Sequence, residues 1–172
     1  MTSGSATGAA LRFLGLRAYF RSELGVRLAR KGFGPDDVEA ALDRCAELGY
    51  LDDRATADRF VQLRAEERGW GPRRLAAELR QRGVGEGLAE EASRLSPQQL
   101  AGALRAALRL AERRRSEGWW RVGRERARMV SSLVSRGFDA DDADEAISEL
   151  AAERESPHHA PDEQPGDPLD LP

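Results

Sequence analysis

The sequence predicts an all-α protein built as three tandem three-helix repeats in an elongated, curved array. Three observations carry this. The block Leu-x-x-(Lys/Arg)-Gly-apolar is written three times, from Leu28 to Phe33, Leu79 to Val84 and Leu133 to Phe138, the mark of stacked units that share a core. The match extends outward: Leu24, Leu75 and Met129 lie eight residues before Gly32, Gly83 and Gly137, and Ala41, Ala92 and Ala146 lie nine after them. Finally, 33% of the residues are charged and 6% aromatic, as in helices with solvated outer faces, and no stretch has the β-branched alternation of a strand.

Residues 1–9 are small and polar and read as disordered. The first module, 10–49, is expected to hold helices from Ala10 to Tyr19, Ser22 to Lys31 and Pro35 to Leu48. The second, 50–95, holds Asp53 to Arg68, Pro72 to Arg82 and Glu86 to Leu95. The third, 96–154, holds Pro97 to Arg115, Trp120 to Arg136 and Ala140 to Glu153. Each middle helix runs into its repeat glycine, which can take the left-handed conformation that closes a helix, with the apolar residue after it packing back on the last turn. Asp52 can cap the helix that follows it, and Pro72 and Pro97 suit first-turn positions. Asp36, Asp37, Asp141 and Asp142 fall in first turns, where the helix dipole favours negative charge. Residues 155–172, rich in Pro and Asp, read as a disordered acidic tail.

A net charge of −3 hides strong segregation. Met1 to Gly34 holds six basic residues and one acidic; Pro35 to Asp53 holds one basic and seven acidic. Pro97 to Arg136 holds ten basic and three acidic, Asp139 to Glu155 one basic and eight acidic. Each repeat is basic before its glycine and acidic after it. Excess positive charge along successive modules attracts acidic protein or nucleic acid.

Catalysis and metal binding find no support. The only histidines, His158 and His159, lie in the tail, so no nucleophile–histidine pair is available in the folded part. No phosphate-cradling Gly-rich loop precedes a Lys, and no metal-ligand spacing occurs. Paired carboxylates sit at helix starts, where capping accounts for them. Neither an enzyme nor a cofactor is expected. Cys45, the sole cysteine, lies on the apolar stripe Val38, Ala41, Leu42, Cys45, Leu48 and reads as a core residue; the default compartment is a reducing cytoplasm. No apolar run approaches membrane-spanning length.

Five blocks in order resemble the RecX family of bacterial regulators of the RecA recombinase. They are Arg17-Ala-Tyr-Phe-Arg-Ser-Glu-Leu24, Leu28-Ala-Arg-Lys-Gly-Phe33, Gly49-Tyr-Leu-Asp-Asp53, Gly69-Trp-Gly-Pro-Arg-Arg-Leu75 with Glu78-Leu79 and Arg82-Gly-Val84, and Ser132-Leu-Val-Ser-Arg-Gly-Phe138. Phe20 departs from the pattern, standing where the family places a Ser that could cap the next helix; Ser22 or water is expected to serve instead. The resemblance implies three tandem three-helix modules. It also implies a non-enzymatic protein that engages the RecA–single-stranded DNA filament and lowers ATP hydrolysis, strand exchange and repressor co-cleavage. A monomer is expected.

Gly32, Gly83 and Gly137 are expected to be structural, as are Tyr50 and Asp53, in a turn that seats an aromatic ring and caps a helix. The partner-binding candidates are Arg68, Arg73, Arg74, Arg80 and Arg82 around the second module's middle helix, and Arg105, Arg109, Arg113, Arg114, Arg121, Arg124 and Arg128 in the third module. Arg105, Arg109 and Arg113 recur at helical spacing and would form a ridge. Trp70 is either a local packing staple or a partner contact. Of Trp119 and Trp120, one is expected to pack and the other to be partly exposed. A competing reading is direct DNA binding of helix-turn-helix character, including duplex DNA, from Pro72 to Ala92; the acidic helix after that turn opposes it. A general helical scaffold fits the array but not the five blocks.

Overall fold

The computed structural model describes residues 5–113 and 115–156. Among them the chain forms nine α-helices and one 3-10 turn, with no strand. Module 1 is α1 (Ala6–Leu14), α2 (Arg21–Arg30) and α3 (Pro35–Glu47). Module 2 is α4 (Asp53–Arg68), α5 (Pro72–Gln81) and α6 (Glu86–Ala92). Module 3 is α7 (Pro97–Glu112), the 3-10 turn Trp119–Arg121, α8 (Gly123–Ser135) and α9 (Ala140–Glu155).

The thrice-written block is a helix-closing motif. Gly32, Gly83 and Gly137 all have left-handed φ, at 91°, 79° and 94°. In each, the glycine N–H bonds the carbonyl three residues back (Ala29, Arg80, Val134, all 2.9 Å), and the next residue's N–H reaches the block leucine's carbonyl (Leu28 at 3.4 Å, Leu79 at 3.1 Å, Leu133 at 3.3 Å). Both bonds of a Schellman cap are present, with the accompanying apolar pair Leu–Phe, Leu–Val and Leu–Phe.

The first helix differs from expectation. The chain is helical from Ala6 and leaves the helix after Leu14, so residues 6–9 are not disordered and Ala10 to Tyr19 is not one helix. The Ser5 hydroxyl accepts from the Gly8 N–H at 3.1 Å and starts the helix. Ala6, Ala9 and Ala10 are buried, small enough to let α1 lie against α3. Tyr19 is buried from the connecting turn instead. Residues 1–4 and the tail from 157, with His158 and His159, lie outside the described residues.

Three other boundaries move for local reasons. Helix α6 stops at Ala92 because Pro97 holds Ser96 extended (ψ 160°), where its hydroxyl and Gln99 form a capping box for α7. Helix α7 ends at Glu112 instead of Arg115. Helix α8 starts at Gly123, not Trp120, because left-handed Gly118 and extended Val122 bracket the intervening 3-10 turn.

The two aspartates of the Gly-Tyr-Leu-Asp-Asp block divide their work. Asp52 caps α4 by accepting from the Ala55 N–H at 2.9 Å. Asp53 reaches across to the Arg21 N–H at 2.7 Å and caps α2, supplying what Phe20 cannot. Neither Ser22 nor water is needed there. Tyr50 is 62% exposed, so the turn does not seat its ring; Leu51, at 6%, is the residue turned inward.

The buried residues fall into two cores, not three. One belongs to module 1 and includes Leu24, Leu28, Leu42 and Cys45. The other runs unbroken through modules 2 and 3, from Ala57 to Ile147. Small residues Ala57, Ala65, Ala103 and Ala107 are buried where α4 meets α7, and a Cβ at Gly69 would lie 2.4 Å from the Ala107 nitrogen. Phe20, on the module 1 side, is buried in the second core, which joins the two hydrophobically.

Modules are joined at a recurring seam in which one module's glycine turn lies on the start of the preceding module's middle helix. At the first seam the Ser22 hydroxyl donates to the Arg82 carbonyl at 2.5 Å, and a Cβ on Gly83 would fall 2.5 Å from that hydroxyl. At the second, the Gly71 N–H donates to the Arg136 carbonyl at 2.8 Å and the Arg73 N–H to the Gly137 carbonyl at 3.2 Å. A Cβ on Gly137 would meet the Arg74 nitrogen at 2.4 Å. Gly32 belongs to the first of the described modules, docks on none before it, and would place a Cβ in open space. Helix α8 has 13 residues against 10 in α2 and α5. Its added turn satisfies the backbone N–H of Arg126, which aligns with Arg21, internally through the Val122 carbonyl at 3.0 Å.

Gly32→Ala should cost only the left-handed backbone, about 1–2 kcal/mol. Gly137→Ala should cost a further ~1–3 kcal/mol from overlap with the Arg74 backbone, read as a lower urea midpoint; equal losses would show that the seam yields freely.

Candidate partner-binding surface

The segregated charges pair within modules first. In module 1, Arg21 of α2 binds Glu39 and, at 2.7 Å, Asp43 of α3. In module 3, Arg126 of α8 binds Asp144 of α9 at 2.8 Å and Ser148 at 2.7 Å. Arg21 and Arg126 occupy the same place relative to their glycines, as do Glu39 and Asp144. This recurring pair fixes the third helix against the second and accounts for part of both charge runs.

The module 2 candidates are largely engaged internally. Arg80 pairs with Glu86 at 2.7 Å, and Arg73 pairs with Asp139 across the second seam. Arg82 pairs with Glu23 at 2.7 Å across the first seam and lies 4.9 Å from the Phe60 ring centre. Trp70 is half-buried, packed edge-on to Phe60 at 6.3 Å, with the Arg74 guanidinium 4.3 Å over its ring, which makes it a packing staple. Arg68 is exposed; its backbone carbonyl accepts from the Arg136 guanidinium at 2.8 Å, and its own guanidinium has no acidic partner among the described residues.

Module 3 splits the arginine ridge. Arg105 and Arg109 edge a groove floored by Leu104, Leu108 and Leu150, facing Glu145 and Glu149 of α9. Arg113 lines a different cleft, between the end of α7 and α8, with Arg115, Arg128 and Arg136 and the single acid Glu125. Glu125 binds both Arg115 and Arg128 at 2.5 Å. Arg121 pairs with Glu155 at 3.0 Å, which holds that carboxyl below its usual range. Arg105, Arg109, Arg113 and Arg124 are exposed with no ion pair among the described residues. Arg114 lies outside them.

Trp119 is the packed member of its pair: 2% exposed, its indole N–H donating to Glu112 at 3.1 Å. Trp120 is half-buried, edge-on to Trp119 at 6.1 Å, with Arg154 4.7 Å over its ring. Cys45 is fully buried, and that burial raises its thiol pKa, as suits a core residue.

Two features escape reading by composition. A second basic cleft opens at the first seam, lined by Arg17, Arg27, Arg30, Lys31 and Arg82 around Glu23. The other feature is Arg136, partly buried at the second seam with its guanidinium held below the usual arginine value, first by burial and then by the nearby Arg74 charge. Aligning the repeats on their glycines would have singled it out, because Arg74 falls where module 1 has Glu23.

The architecture defines a class: tandem three-helix modules joined in series, with charged clefts beside their seams. Among the described residues there is no group of acids, His and Cys that could hold a metal, and no helix long and apolar enough to cross a membrane. Residues 6–45 match the first three-helix domain of RecX and residues 52–92 the second. The regulatory protein RecX of Halorhodospira halophila is 42% identical over 133 residues, covering 77% of this chain and 80% of that protein. Those of Thermus thermophilus (41%, covering 75% and 80%) and Mycobacterium avium (40%, covering 84% of each) are similarly related. The crystal structure of RecX from Lactobacillus salivarius superposes with a TM-score of 0.73 at 22% identity, over 86% of this chain and 95% of that one. The chain belongs to the RecX family of regulatory proteins.

Replacing Glu23 by Gln should leave the half-buried Arg82 uncompensated and cost about 1–2 kcal/mol, whereas Glu86→Gln, at an exposed pair, should cost less than about 0.5 kcal/mol. Urea denaturation of the two variants checks the order.

Proposed function

We propose that the protein is a non-enzymatic negative regulator of RecA that acts in the cytoplasm. It binds the RecA–single-stranded DNA filament in its helical groove and lowers ATP hydrolysis, strand exchange and co-protease activity. Recombination, repair and the SOS response are thereby restrained. Family membership supports the partner. The observation that carries the surface is that Arg68, Arg105, Arg109, Arg113 and Arg124 of the later modules are exposed without an acidic partner among the described residues, as are Arg12, Arg27, Arg30 and Lys31 of module 1. These make a field that an acidic filament would meet in solution. Arg73, Arg80, Arg82, Arg121 and Arg128 already hold internal acids and contribute chiefly by placing the clefts, though each can be recruited by a stronger partner.

Sequence-specific duplex recognition is the weaker reading. Its recognition helix would be α6, only seven residues long, and Glu86 and Glu91 on it are committed to Arg80 and Arg54. A helix of that charge would be repelled by phosphates.

The test is RecA ATPase on single-stranded DNA with the full chain titrated in. Inhibition is expected at or below one molecule per RecA. Arg105→Glu combined with Arg109→Glu should weaken inhibition roughly tenfold, since each exposed charged contact contributes about 0.2–1 kcal/mol. Undiminished ATPase at a stoichiometric ratio would refute the assignment.

A further inference from the structure

The two seams bring the same elements together but differ in charge where their modules align: Ser22 and Gly85 give way to the ion-paired Arg73 and Asp139, and Glu23 gives way to Arg74. In the first seam, the basic residue before the module 2 glycine, Arg82, meets Glu23 at 2.7 Å. In the second, the turn that carries Arg136 lies on the backbone of Arg74, where a Cβ on Gly137 would meet the Arg74 nitrogen at 2.4 Å, and the Arg74 charge acts on the Arg136 guanidinium. Glu23 and Arg74 stand nine residues before Gly32 and Gly83 respectively, so the site that carries the counter-charge in one seam carries a second positive charge in the other. No acid among the described residues forms an ion pair with Arg74 or Arg136, and both are partly buried.

Stability gives no reason for this. Like charges carried by two partly buried residues at one seam repel, and desolvation strengthens the repulsion. Arg74 is held in place by stacking on Trp70, and Arg136 by donating to the Arg68 carbonyl, so neither can swing away without losing a contact. Arg136 also lines the cleft that holds Arg113, Arg115 and Arg128, with hydroxyls of Ser116 and Ser132 on its wall. The Arg115 Nε is buried without a partner there. Planar, multi-donor groups that line one cleft with hydroxyls, and with Glu125 as the single acid among them, match the oxygens of successive phosphates.

We propose that the second seam is a phosphodiester site: Arg74 and Arg136 hold one backbone phosphate of single-stranded DNA, and the strand runs on along the cleft past Arg128 and Arg113. The phosphate takes the place that Glu23 occupies in the first seam. This deepens the filament-binding reading by naming the DNA-facing part of the surface. A row of cationic groups suits a polyanion better than a single carboxylate, and the acidic residues of a protein partner are the alternative the experiment separates.

The experiment uses the full chain without RecA, so it can fail or succeed whatever the ATPase titration shows. Anisotropy of a labelled oligothymidylate is followed against salt for the wild type, Arg74→Glu and Arg94→Glu. Arg94 is exposed at the end of α6 and equalises the change in net charge. Arg74→Glu should lose about tenfold or more in affinity and flatten the salt dependence by about 0.7 per phosphate contact removed, with Arg94→Glu within about twofold of wild type. Because Arg74→Glu rebuilds the first seam's ion pair, its melting temperature should equal or exceed that of wild type. Inorganic phosphate should raise the melting temperature of wild type and not of Arg74→Glu. A polyglutamate of matched charge should not displace the oligonucleotide. The proposal is overturned by any of four results: no oligonucleotide binding by wild type at low salt, binding by Arg74→Glu within threefold, a lower melting temperature for that variant, or displacement by polyglutamate at equal charge.

Discussion

The structure depends on a backbone contact that only glycine permits. A turn closing one module's middle helix sits on the first turn of the preceding module's middle helix, and the carbonyl just before the glycine accepts a hydrogen bond from it. Side chains cannot enter that gap: a Cβ at Gly83 or Gly137 would overlap its neighbour at 2.5 or 2.4 Å. Glycine thus does two jobs at one position, ending a helix by its left-handed φ and admitting the next module by its missing side chain. Gly32 does only the first, because no described module precedes its own.

This contact orders the rest of the molecule. It places Phe20 in the core of the later modules and carries Asp53 back to cap α2. Since the turn that docks always brings a basic residue with it, each seam acquires a positive charge that something must answer. The first seam answers internally through Glu23. In the second, Asp139 answers Arg73, while Arg74 adds to the charge beside Arg136. Repeats that share a fold are free to differ here because the hydrogen bonds to the docking turn end on its backbone carbonyls, not on its charged side chain.

Charge within modules follows a separate logic. Arg21 with Glu39 and Arg126 with Asp144 fix third helices to second helices at matched positions, so much of the segregated charge is architectural. What remains unanswered includes arginines of α4, α7 and the start of α8 and, in module 1, Arg12, Arg27, Arg30 and Lys31. Surface pairs contribute little stability each, so the arginines that pair and those that do not differ more in availability than in energy.

Helix closure, the module repeat and the all-α class were legible in the chain because they rest on local rules: a left-handed glycine, an apolar residue after it, a capping residue at fixed spacing. Asp53 to Arg68 was read to the residue for that reason. The first turn of helix α1 was missed because its buried face there is alanine, which composition cannot distinguish from a small-residue tail. Tyr50 was misread because which of two adjacent residues faces inward after a left-handed turn depends on what lies opposite. The same is true of Trp119 and Trp120, where the sequence required one to pack without saying which. Fusion of modules 2 and 3 into one core, the split of the arginine ridge between two grooves, and the meeting of Arg74 with Arg136 were decided only by tertiary structure. Each turns on residues distant in the chain being brought within a few ångströms, and local propensity carries no record of that distance. The chain by itself determined the unit and its count; the packing of one unit on the next determined where charge is left without a partner.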